Sequence, residues 1–68
     1  MTTQERNDVR KCIDVMQTAK NCIAVLFGKA ARDADYDKAV IYQLIRDTMS
    51  QQIDALENLI IRHREEEE

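Results

Sequence analysis

The chain contains no proline and no tryptophan, and Gly28 is its only glycine. Tight β-turns draw on residues with a preset or positive φ, so a fold of many short strands is excluded. The same scarcity excludes long flexible linkers. No apolar run approaches the roughly 20 residues needed to cross a bilayer. The opening Met1-Thr2-Thr3-Gln4-Glu5-Arg6 holds no apolar signal core, and a cytoplasmic location is expected. Only two cysteines are present, Cys12 and Cys22. Ten residues of helix span about 15 Å, beyond disulfide reach, so the two cannot staple the fold. They read as small buried hydrophobes in a reducing compartment. With 68 residues and no staple, one domain with a modest core is expected.

Reactive chemistry is equally sparse. There is no glycine-rich phosphate loop, nucleophile motif or metal-ligand cluster. Ser50 is the only serine and falls on a polar helical face. Asp33-x-Asp35-x-Asp37 opens like a calcium loop, but Lys38 and Leu44 stand where that loop needs Gly and Glu. Asp33 or Asp35 serves better as the N-cap of a second helix, with Asp37 in its first turn. His63, the only histidine, lies between Arg62 and Arg64 and suits the negative end of a helix dipole. The expectation is therefore a chain with no catalytic residue, no cofactor and no metal, and not an enzyme.

What the sequence does have is helical periodicity. Val9, Cys12, Met16, Ala19, Ile23, Leu26 and Ala30 step by 3, 4, 3, 4, 3, 4, a heptad seam. Ile13, Cys22, Val25 and Phe27 widen it. Thr3 is a candidate N-cap, with Arg6 rather than an acid at the third helical position. Gly28 costs about 1 kcal/mol relative to Ala inside a helix, so it marks either the end of the regular helix or a close approach. A second stripe, Ile41, Ile45, Met49, Ile53, Leu56 and Ile60, steps by 4, 4, 4, 3, 4, nearer the ordinary helical period. Tyr42, Leu44 and Leu59 flank it. Arg46, Asp47, Ser50, Gln51, Asp54, Glu57 and Asn58 make its polar face. Glu65 to Glu68 oppose the dipole at a helix C-terminus, so fraying is expected there.

These patterns predict an all-α fold: a single coiled-coil-like, antiparallel two-helix hairpin over residues 1–68. The first helix runs from about 4 to 32, the turn over 33–36 and the second helix from about 37 to 65. Two helices enclose one seam, and both stripes are wider than one seam. Completion by self-association or by a protein partner is expected.

Charge is divided between the halves. Residues 1–32 carry six bases and three acids, and residues 33–68 four bases and ten acids. Opposite signs favour folding back, or heterologous association, and set orientation more than stability. Arg6, Arg10, Lys20, Lys29 and Arg32 form a candidate basic strip. In size and layout the chain resembles the plasmid Rop protein, a helical hairpin that dimerises and binds RNA. Net acidity counts against a nucleic-acid footprint. Phage-type helical oligomers that sequester a nucleotide ligand are a further architectural likeness. Membrane-surface binding is disfavoured, because the two polar faces are not both rich in Lys and Arg.

One resemblance reaches individual residues over nearly the whole chain. Met1-Thr2-Thr3 with Arg6, the Ala19-Lys20 pair before Ile23 and Leu26, and Lys29-Ala30-Ala31-Arg32 resemble a first helix of the small helical-hairpin co-chaperones of type III secretion systems, the YscE/PscE/SsaE-like group. Tyr42-Gln43, and Ile53, Glu57 and Ile60 with Arg62-His63-Arg64, resemble the second helix. The turn departs from the group: Asp33-Ala34-Asp35 stands where Gly or Pro is frequent. The resemblance implies a cytosolic protein that pairs with a helical-repeat chaperone and keeps a needle subunit unpolymerised. An apolar helical face docking in a groove requires no catalysis. The packing and docking residues expected are Ile13, Met16, Ile23, Leu26, Phe27, Leu44, Leu56 and Ile60.

Overall fold

Thr2, one residue before the expected cap, starts the first helix. Its Oγ1 accepts the Glu5 backbone N–H at 3.1 Å, and its hydroxyl donates to Glu5 Oε1 at 3.1 Å. The acid therefore does sit at the third helical position, as in a capping box, and favours the positive end of the dipole. The computed structural model describes residues 1–63, which form α1 (Thr3–Arg32) and α2 (Tyr36–His63). The two pack as an antiparallel hairpin of 53 × 15 × 10 Å between Cα atoms, the all-α architecture expected. The expected fraying of Glu65 to Glu68 lies outside the described residues.

The turn is three residues long, Asp33-Ala34-Asp35, one fewer than expected. The Ala34 N–H bonds the Ala31 carbonyl at 3.2 Å, and the Asp35 N–H bonds the Ala30 carbonyl at 2.9 Å. This pair of bonds is a Schellman closure, which requires a left-handed residue between them. Ala34 takes that place with φ 58°, a conformation that favours glycine. Asp35, not Asp33, then caps α2. Its Oδ1 accepts the Lys38 N–H at 3.4 Å, and its Oδ2 lies 3.5 Å from Lys38 Nζ. Gly28 meets neither expectation. It sits inside regular α1, and a Cβ built there would find open space.

The seam between the helices differs from the purely apolar stripes. On α1 the covered residues of the central line are Arg6, Val9, Ile13, Met16, Lys20, Ile23, Phe27 and Ala30, stepping 3, 4, 3, 4, 3, 4, 3, with Ala19 and Ala24 half-buried beside it. On α2 they are Ala39, Tyr42, Arg46, Met49, Ile53, Leu56, Ile60 and His63, with the same steps. Both helices thus keep a strict heptad, and the looser period read for the second helix is corrected. That reading took Ile41 and Ile45 as seam residues and Arg46 as an outward one, because it followed apolar character alone. Arg46 enters the seam by placing its guanidinium 5.5 Å from the centre of the Phe27 ring. Its Nε is buried with no hydrogen-bond partner among the described residues. Lys20 is half-buried, as a lysine can be when its methylenes lie on apolar neighbours and its ammonium keeps its water. Ser50, expected on the polar face, is half-buried beside the seam.

The two series mirror each other about the turn. Counted outward from the turn in equal 3–4 steps, Ala30 pairs with Ala39, Ile23 with Arg46, Met16 with Ile53 and Val9 with Ile60. Alanine occupies the layer nearest the turn, and Ala30 and Ala39 are both buried. Ile53 is the only other buried apolar residue among those described, and no large side chain is fully enclosed. One seam covers only one stripe of each helix, so the core stays thin.

Candidate docking face

The arrangement beside the seam is clearest in heptad notation. On α1, Arg6, Ile13, Lys20 and Phe27 are position a, and Val9, Met16, Ile23 and Ala30 position d. On α2, Ala39, Arg46, Ile53 and Ile60 are a, and Tyr42, Met49, Leu56 and His63 are d. Positions g and c of α1 are then Cys12, Val15, Ala19, Cys22 and Leu26. This is a second strict heptad one column away from the seam. Positions g and c of α2 are Ile41, Ile45, Thr48, Gln52, Ala55 and Leu59.

These two columns share one face. A two-fold axis perpendicular to the hairpin relates antiparallel helices, and it carries g onto g without leaving that face. The concavity beside the turn confirms the placement, since Leu26 and Lys29 of α1 line it together with Lys38 and Tyr42 of α2. Val15 is 69% exposed, Ile41 54% and Leu26 42% on this front face. Shallow apolar depressions run along it, one lined by Lys11, Cys12, Val15 and Met16, another by Leu44, Ile45, Thr48, Met49 and Gln52. The Thr48 hydroxyl donates to the Leu44 carbonyl at 2.9 Å, so its polar group is already satisfied within α2.

The rear face, positions e and b, is built differently. It presents Asn7, Arg10, Asp14, Gln17 and Asn21 on α1, followed by Ala24, Gly28 and Ala31 toward the turn, with Gln43, Asp47, Ser50, Asp54 and Glu57 on α2. Gln43 Nε2 donates to Asp47 Oδ1 at 2.9 Å there. Val40 and Ile61 are isolated apolar residues on that side.

The residues singled out from the sequence divide between these settings. Ile13, Met16, Ile23 and Phe27 of α1, with Leu56 and Ile60 of α2, are half-buried in the seam. Leu26 faces outward on the front, and Leu44 lies 61% exposed on the outermost line of α2. Cys12 and Cys22 are exposed, which corrects their reading as buried hydrophobes. They fall in the outer column because Ile13 and Phe27 take the inner one. Val15, Ile41 and Ile45 belong to the front face and were absent from the docking set. A second heptad at 12, 15, 19, 22 and 26 was the signal that marked their side.

The candidate basic strip is dispersed. Arg6 and Lys20 lie in the seam, Arg10 at the rear, Lys29 at the front and Arg32, exposed, at the C-terminal end of α1. Among the described residues no three His, Cys, Asp or Glu side chains gather where a metal could bind, and no helix is long and apolar enough to cross a membrane. No family model, curated protein or solved structure matches the chain.

Proposed function

We propose that the chain is a non-enzymatic, cytosolic docking module whose front face binds another helical surface. The observation that carries this reading is the pairing of the α1 outer column with Ile41, Ile45, Ala55 and Leu59 of α2 on one side of a thin hairpin. A helix laid along Cys12, Val15, Ala19, Cys22 and Leu26, with Ile41 and Ile45 opposite, would bury side chains that water now covers. In the form that the sequence resemblance implies, the partner is a helical-repeat chaperone, and the pair keeps a type III secretion needle subunit soluble. Dispersal of the basic residues places RNA binding below this reading, because a phosphate-tracking surface needs them on one side.

The test is co-expression with a helical-repeat chaperone and a needle subunit of a type III secretion system. Co-elution of all three through size exclusion is expected. Val15→Asp should release the hairpin from the complex, whereas Gln17→Asp on the rear should leave it bound. Binding unchanged by Val15→Asp would put the docking surface elsewhere.

A further inference from the structure

We propose that in the free protein the front face is covered by a second copy of this chain, with the two α1 helices running antiparallel. This rests on the docking-face reading and names the occupant of that face when no other partner is present.

The first argument is charge. Extended by two turns at its N-terminal end and one at its C-terminal end, the outer column of α1 reads Glu5, Asp8, Cys12, Val15, Ala19, Cys22, Leu26, Lys29. Acids close one end and a base the other. Antiparallel self-pairing sets Glu5 against Lys29 of the second copy, and Lys29 against Glu5. Parallel pairing sets like charge on like charge. Packing α1 instead against α2 of the second copy brings Lys29 beside Lys38. Only the antiparallel α1 pair matches sign at both ends, and mismatched charge selects against the other arrangements.

The second argument is register. An antiparallel seam interleaves g with c, and full overlap of this column gives the layers Glu5–Lys29, Asp8–Leu26, Cys12–Cys22 and Val15–Ala19. The two-fold axis then passes at the height of residue 17. The mirrored heptads of the hairpin put residue 52 of α2 at that same height. Residue 52 is Gln52, the one polar side chain of the α2 front column between Ile41 and Leu59 that is not hydrogen-bonded within its own helix among the described residues. A carboxamide carries both donor and acceptor, so two copies meeting on a dyad can pair with each other. The acid and base at the column's ends thus fix a position that independently places a self-complementary group on the symmetry axis.

The third argument is area. The outer column spans 24 residues, or about 36 Å, and the face is two helices wide, giving about 700 Å² in projection. A standard stable interface takes about 800 Å² from each partner. The face is large enough for a dimer and is repeated by symmetry, as an isologous contact requires.

Light scattering near ~100 µM should give about twice the chain mass of 7.9 kDa. Diamide, which takes up the two hydrogens released as two thiols join, should link the wild-type chain covalently. Cys12→Ser and Cys22→Ser should each fail to cross-link alone, and their equilibrated mixture should cross-link. Val15→Asp should weaken dimerisation about 100-fold or more while helical circular dichroism is kept. Gln52→Glu, at another exposed position, should weaken it about 10-fold by setting two carboxylates on the dyad. A monomeric wild type overturns self-pairing, and co-elution with the chaperone then still decides the docking reading on its own. A dimer in which Cys12→Ser cross-links through Cys22 alone overturns the antiparallel register. A dimer indifferent to both Val15→Asp and Gln52→Glu overturns the choice of face.

Discussion

The front and rear of the hairpin are made by the same two helices and differ by one column of side chains. At the rear, polar groups answer one another along a helix, as Gln43 does with Asp47 at 2.9 Å. At the front, Val15, Leu26, Ile41 and Ile45 stand in water with no such exchange available. Covering the rear would strip hydration from amides and carboxylates, which costs free energy unless each finds a new partner. Covering the front removes mainly apolar surface, worth about 25 cal/mol per Å². The difference teaches that a heptad can be written twice on one helix, and that only the column nearer the large residues Ile13 and Phe27 is used within the chain.

The comparison is broken most severely through the seam on which both faces depend. Ile53→Ala should cost about 3 kcal/mol in urea denaturation, because Ile53 is the most buried apolar residue and its neighbours are held apart by the helices. A loss that large leaves little of a 68-residue fold and removes front and rear together. Next come two backbone sites whose residues are exchanged relative to their conformations. Gly28→Ala, into open space within α1, and Ala34→Gly, at φ 58°, should each stabilise by about 1 kcal/mol. Neither lies on the front face, so the double variant should raise the melting temperature without changing association.

Leu26→Ala sharpens the contrast directly. At 42% exposure, truncation should cost only about 1 kcal/mol in dilute protein, less than the full loss for a buried seam leucine. The penalty should grow with protein concentration as the front face becomes covered, a trend that denaturation at several concentrations will read. The smallest effect belongs to the rear. Gln17→Ala should change stability by less than about 0.5 kcal/mol at every concentration.

Much of the hairpin was legible beforehand. The absence of proline, the single glycine and the 3–4 spacing led to two long helices with a short acidic turn between them, and Asp35 was one of two named caps. The candidate face was legible only in part. Leu26 was placed among the docking residues, but Val15, Ile41 and Ile45 were not. Arg46 was read as outward and Lys20 as part of a basic strip because only apolar letters were followed, although Arg46 lies against the Phe27 ring and Lys20 is half-buried in the seam. A stripe of apolar letters cannot register a guanidinium lying on an aromatic face.

By itself, then, the sequence determined that Val9, Met16, Ile23 and Ala30 form the central line of a heptad, since residues at that spacing share one side of any α-helix. It did not determine whether position 13 or position 12 joins them, for both complete a strict 3–4 pattern. Tertiary structure decided that. The three-residue turn brings Ala30 against Ala39, which fixes the rotation of each helix about its own axis. Every layer beyond then follows in register. That rotation turns Ile13, Lys20 and Phe27 inward and leaves Cys12 and Leu26 facing out.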